Sequence, residues 1–71
     1  MEDIRIETEY IRLDALLKLA GAAVTGGQAK ADIQAGRVQV NGEPCTMRGK
    51  KIYPGDSVRV AGRGFKVERC L

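Results

Sequence analysis

Residues 25–42 read TGGQAKADIQAGRVQVNG, and this stretch decides the fold because one short run holds a helix start, a helix stop, a strand and a hairpin turn. Thr25 followed by Gln28 has the form of a capping box, in which two side chains satisfy backbone N–H groups that the first helical turn leaves without partners. Gly36 stands where a helix ends in a left-handed residue, a conformation that glycine adopts without a Cβ clash. Beyond it, Arg37-Val38-Gln39-Val40 alternates polar and apolar as a strand with one buried face does, and Asn41-Gly42 is a strong signal for a tight hairpin. The expectation is a helix from the Thr25 cap to about Ala35, followed by a strand and a sharp reversal.

Upstream, Leu13, Leu16, Leu17 and Ala20 form the stripe of an amphipathic helix, which Thr8 offers to cap and Gly21 ends. The connector Ala22-Ala23-Val24 is too short to let two helices separate, so they pack as an angled pair. The second helix has a thin apolar side, Ala29 and Ile33 with Ala22 from the connector, and must lean on a sheet. Ile4-Arg5-Ile6-Glu7 alternates as a short strand. Downstream, Glu43-Pro44-Cys45-Thr46 returns as an edge strand, since proline cannot donate to a ladder. Met47 to Lys51 forms a basic loop, and Tyr53-Pro54-Gly55-Asp56 places Pro and Gly at the centre of a type II turn. Val58 and Val60 alternate with Ser57 and Arg59, Gly62-Arg63-Gly64 turns the chain, and Phe65-Lys66-Val67-Glu68 completes the sheet. The fold class expected is α+β, two packed short helices against a small, mostly antiparallel β-sheet.

Composition narrows the function classes. A chain of 71 residues buries only about 60% of its unfolded surface and has material for one core, which reads as a single domain over 1–71 with no deep catalytic cleft. The net charge of +3 is unevenly placed: residues 1–9 carry Glu2, Asp3, Glu7 and Glu9 against Arg5, so the rest of the chain is markedly basic and suited to an anionic partner. The only aromatic residues are Tyr10, Tyr53 and Phe65, which leaves little for stacking on exposed rings. No His is present, and Cys45 and Cys70 stand alone without a CxxC pair, so neither a metal site nor any cofactor is expected. The acidic, unhydrophobic N-terminus reads as no secretory signal, and the two thiols then suit a reducing cytoplasm. No apolar run approaches the roughly 18 residues of a membrane span. Without a GxSxG or Walker-type loop, and with Asp14, Asp32 and Asp56 at turns or helix faces, an enzyme is not indicated.

Three features bear on binding. Arg48, Lys50 and Lys51 lie within four residues, where long cations cannot be buried; a solubilising loop is one reading, and a phosphate-neutralising cluster is the other. The hairpin at Asn41-Gly42 is expected to return this loop near Arg37 and the helix pair. Gly26 and Gly27 leave backbone N–H groups at the positive end of a helix, which suits a phosphate oxygen as well as turn geometry, and Lys30 lies one turn further on. Arg12 and Asp14 on the first helix read as an exposed polar pair.

Taken together, IRLDALLKLAG (11–21), TGGQAKADIQAGRVQVNGE (25–43), the basic loop and KIYPGDSVRV (51–60) resemble the small RNA-binding domain named after ribosomal small-subunit protein S-four, and within that family the stand-alone bacterial proteins of the YbcJ/YaaA type. The resemblance spans about Tyr10 to Val60 and rests on the ordered set Arg12-Leu13-Asp14, Ala29 with Ile33, Gly36, Val38, Val40-Asn41-Gly42 and Pro54-Gly55-Asp56. It implies non-catalytic binding of structured RNA, ribosomal or transfer RNA, by a monomer, through phosphates and shape. The implied surface comprises Arg12, Lys18, Thr25, Gly26, Gly27, Gln28, Lys30, Arg37, Arg48, Lys50 and Lys51. Thr25-Gly26 stands where many members have Ser-Arg, which shifts weight onto Gly26, Gly27 and Lys30. The rival reading is an adaptor that docks on ribosomal or RNA-modification proteins through its sheet, and a steep salt dependence separates phosphate contacts from such docking.

Overall fold

The computed structural model describes residues 1–70. Its elements are β1 (Glu2–Ile6), β2 (Ile11–Arg12), α1 (Leu13–Leu19), α2 (Gly26–Gln34), β3 (Val38–Val40), β4 (Glu43–Pro44), β5 (Lys51–Ile52), β6 (Ser57–Val60) and β7 (Arg63–Arg69). Five strands form one sheet in the order β1-β7-β6-β3-β4, and β2 and β5 form a separate two-stranded ladder. Among the described residues all pairings are antiparallel except β1 with β7, where the acidic N-terminal strand completes the sheet in parallel, Glu2 opposite Phe65 and Ile4 opposite Val67.

The alternation in the strands sorts the sheet into two faces. Val38, Val40, Val58, Val60, Phe65 and Val67 turn inward and join Leu13, Leu16, Leu17, Ala29 and Ile33 in one apolar cluster, while Gln39, Arg59 and Lys66 point to solvent on the uncovered face. Removing each large aliphatic side chain from water contributes about 1.5–3 kcal/mol, so the three leucines of α1 are the main attachment of that short helix. Among the described residues of the second helix, Ala29 and Ile33 are the buried ones. From the connector it is Ala23 that is buried, with Ala22 only partly covered, because the chain leaves α1 through a left-handed Gly21 with φ +74°. The Ala22 and Ala23 N–H groups both donate to the Leu17 carbonyl, which swings Ala23 under the helix pair.

The helix termini follow the local code with two corrections. Thr25 Oγ1 accepts from the Gln28 N–H at 3.1 Å, but the Gln28 side chain takes the N–H of Val24 at 3.0 Å, one residue earlier than a reciprocal box requires. At the other end Gly36, φ +76°, allows the Gly36 and Arg37 N–H groups to reach the Ile33 and Asp32 carbonyls, which closes the helix. The first helix does not start at Thr8: its N-cap is Arg12, and the Thr8 hydroxyl donates to the Tyr10 carbonyl at 2.7 Å. The residues between are claimed by β5, since Ile11 pairs with Ile52 and Arg12 with Lys51, a tertiary pairing that overrides the local helical pattern.

Turn geometry accounts for most of the glycines singled out in the sequence. Asn41 and Gly42, φ +51° and +86°, make the β3–β4 reversal, and the Pro54-Gly55 turn closes with Asp56 N–H donating to the Tyr53 carbonyl at 2.9 Å. These two turns are one network. Asn41 Nδ2 donates to Asp56 Oδ1 and Asn41 Oδ1 accepts from the Ser57 N–H, while Asp56 Oδ2 accepts from the Tyr53 N–H. The turn after β6 uses Ala61 and Gly62 rather than Gly62-Arg63-Gly64, because Val60 pairs directly with Arg63 and sets a two-residue loop.

Candidate nucleic-acid interface

The basic loop is seated on the start of α1. The Leu13 N–H donates to the Lys50 carbonyl at 2.9 Å and the Asp14 N–H to the Arg48 carbonyl at 3.1 Å, so two N–H groups that a helix start would leave unpaired hold the loop backbone instead. Within the loop the Lys50 N–H returns to the Met47 carbonyl, which closes a turn around Arg48-Gly49. Lys51 is no longer loop: it lies in β5, opposite Arg12. The Arg12 guanidinium lies along Gly49, 3.5 Å from where a Cβ on that residue would stand, and pairs with Asp14 at 3.5 Å. Backbone bonding therefore brings Arg12, Arg48, Lys50 and Lys51 to one end of α1 with all four side chains exposed.

A shallow groove runs from this cluster toward α2, lined by Arg12, Asp14, Ala15, Lys18 and Gly26. It joins residues from both helices that the sequence alone could only place on separate elements. At its α2 side the Thr25 hydroxyl satisfies Gln28, which leaves the N–H groups of Gly26 and Gly27 exposed and without a partner among the described residues. Neither glycine has positive φ. A Cβ at Gly26 would meet nothing, and one at Gly27 would meet only Thr25 Oγ1 at 3.8 Å, so turn geometry and packing do not demand glycine here. Lys30 is exposed one turn along the same helix.

Arg37 falls elsewhere. It sits in a depression with Gln39, Arg59 and Arg63 at the far end of β3 from the Asn41-Gly42 turn, and its guanidinium is held by Asp32 at 3.2 Å. The hairpin does bring the chain back past Val38, whose carbonyl accepts from the Cys45 N–H, but the cations of the loop gather on α1 and not beside Arg37. The ion pair follows from the close of α2, where the chain reverses through Gly36.

The rings set aside by the sequence reading prove to be placed together. Tyr10 and Tyr53, next to the paired Ile11 and Ile52, have centroids 5.8 Å apart and planes inclined by 47°, and Lys51 Nζ lies 4.9 Å from the Tyr10 centroid. Only the pairing of β2 with β5 creates this contact, and no local pattern encodes it.

This fold, two packed helices against a mostly antiparallel sheet, is that of the S4 domain. The chain belongs to the S4 domain family, whose model matches residues 4–68, a span that takes in most of β1 and β7. Among relatives, it is 46% identical over 61 residues to the Bacillus subtilis (strain 168) "Probable ribosome maturation protein RlbA", covering 86% of each chain. It is 40% identical over 58 residues to the Escherichia coli (strain K12) "Putative RNA-binding protein YbcJ", covering 82% of this chain and 83% of that one. The solution structure of YbcJ from Escherichia coli, described as revealing an ALFAL motif involved in RNA-binding, superimposes with a TM-score of 0.74 at 35% identity, covering 96% of this chain and 87% of that one.

Proposed function

We propose that this chain binds structured RNA, ribosomal or transfer RNA, without catalysing a reaction on it. The observation that carries this reading is the seating of the 47–50 turn on the α1 start, which gathers Arg12, Arg48, Lys50 and Lys51 into one exposed cationic end. A phosphate backbone is the ligand such a cluster fits, because each neutralised phosphate releases condensed counterions. The groove through Lys18 to the Gly26 and Gly27 amides extends the face, with Lys30 beyond it, and offers phosphate oxygens uncrowded backbone donors. The "ribosome maturation" and "RNA-binding" names of the two relatives support the same class of partner. The two free thiols, half-buried Cys45 and exposed Cys70, suit a reducing compartment, and we place the protein in the cytoplasm.

The test is an anisotropy titration of the chain against a ribosomal RNA hairpin across a salt series. Replacing Lys50 and Lys51 with Ala is expected to weaken binding and to reduce the log–log salt slope by about 1 for each cation removed, with no loss of folding, since both side chains are exposed and only their backbones hold α1 and β2. An unchanged affinity and slope in the doubly substituted chain overturns the reading.

A further inference from the structure

The outer side of the β2–β5 ladder is used only in part by the phosphate face. Ile52 is fully buried and Ile11 packs against the core, so the residues on either side project outward: Tyr10 and Tyr53 flank the ladder at one end, and Arg12 and Lys51 pair at the other. Of the three aromatic residues in the chain, Phe65 is fully buried, whereas Tyr10 is 37% and Tyr53 47% exposed. A 47° inclination keeps the two rings from stacking on one another, and Lys51 Nζ takes up a place over Tyr10, so Tyr53 retains open ring surface. Both backbones are pinned: the Tyr10 carbonyl accepts from Thr8 Oγ1 at 2.7 Å, and the Tyr53 N–H donates to Asp56 Oδ2 at 2.9 Å. With the backbones fixed and the rings in contact with each other and with Lys51, part of the ordering that binding requires is already in place.

We propose that Tyr10 and Tyr53, with Lys51 between them and the phosphate face, form a stacking platform for an unpaired nucleobase of the bound RNA. The inference rests on the RNA-binding reading above and deepens it. Splayed-out bases of loops and bulges are held by stacking on aromatic side chains, which every base permits through its π face. The platform adjoins Arg12 and Lys51 directly, so a nucleotide displaced from a helix whose phosphates lie on the cationic end meets the rings without a long detour. The selectivity that results is for helices interrupted by a bulge or loop over uninterrupted duplex.

The experiment uses two RNA hairpins of equal stem length, one fully paired in the stem and one carrying a single bulged 2-aminopurine, titrated with the intact chain. The wild-type chain is expected to prefer the bulged hairpin and to change the 2-aminopurine fluorescence on binding. Tyr53→Leu keeps apolar bulk but removes the π face; alone and with Tyr10→Leu, it is expected to weaken binding of the bulged hairpin by about tenfold while leaving the paired hairpin and its salt slope as before. Tyr53→Phe retains the preference. Unaltered binding of the paired hairpin also reports that the variants fold. Equal affinity of the wild-type chain for both hairpins, or a preference that survives both leucine substitutions, overturns the platform and leaves the RNA reading standing. Failure of the wild-type chain to bind either hairpin overturns the RNA reading and the platform with it.

Discussion

At the scale of single residues, the most informative position is Gly27. Its φ is negative and, among the described residues, the only close neighbour for an added Cβ is Thr25 Oγ1 at 3.8 Å, so replacement is sterically free. Folding and binding should then respond with opposite signs. Gly27→Asp puts a better helix former and a carboxylate in the first turn of α2, which stabilises the domain by about 0.5–1 kcal/mol. The same carboxylate occupies the region proposed for a phosphate, so RNA affinity is expected to fall by about 5- to 10-fold, with Gly27→Ala close to wild type. Urea unfolding and anisotropy on the two variants measure both effects. A Gly27→Asp chain that is stabilised and still binds RNA as before removes the helix start from the interface.

At the scale of elements, the open edge of the sheet is tied by Arg63. Glu2 and Phe65 are register partners, and Arg63 lies two residues before Phe65 on the same side of the strand, at its half-exposed end. Its guanidinium meets both Glu2 carboxylate oxygens, at 3.1 and 3.0 Å, and also donates to the Ala20 carbonyl at 3.1 Å, so β1, β7 and the end of α1 share one side chain. The hydrogen bonds from Arg63, aided by its charge, hold the Glu2 carboxyl below its ordinary value of 4.5. A carboxyl depressed in the folded state adds stability that is present above its unfolded pKa and is lost as pH falls through the folded value. Thermal unfolding from pH 7 down to pH 2 is therefore expected to show a steeper acid loss for the wild-type chain than for Glu2→Gln, the two differing most at neutral pH; both groups are solvent-facing, so the difference is small. Parallel curves with a constant offset contradict the assignment.

At the scale of the whole molecule, the acidic cluster and the basic turn lie on different parts of the fold. The acidic residues of β1 and its flanks lie at one edge of the five-stranded sheet, whereas the basic turn sits on α1 beside the separate β2–β5 ladder. The basic turn therefore favours a polyanion at the helix and loop face over the acidic edge, while Arg37, Arg59 and Lys66 give the sheet side cations of its own. Amide chemical shifts recorded during titration with an RNA hairpin are expected to move at Arg12, Lys18, Gly26 to Lys30 and Arg48 to Lys51, and to stay fixed across Glu2 to Ile6. Shifts centred on the uncovered sheet face, around Gln39, Arg59 and Lys66, would place the RNA on the sheet and overturn the helix and loop face, whereas no shifts at all would leave the docking adaptor as the reading.

What the residues determined by themselves is local. Thr25, Gly36, Asn41-Gly42 and Pro54-Gly55 each impose a backbone requirement met within a few residues, and the valine alternation in β3 and β6 separates two faces wherever the strand lies. The exposed cations of the proposed interface were legible for a similar reason, since several long charged side chains in a short run must face solvent. Only the tertiary structure decided the start of α1, the seating of the 47–50 turn on it, the separation of Arg37 from the loop, and the meeting of Tyr10 with Tyr53. A ladder of two residues has no periodicity to read, and hydrogen bonds such as Leu13 N–H to the Lys50 carbonyl join backbone groups that every residue carries. Their partners are chosen by the packing of Leu13 and Ile52 into a common core, which exists only once the chain has closed on itself.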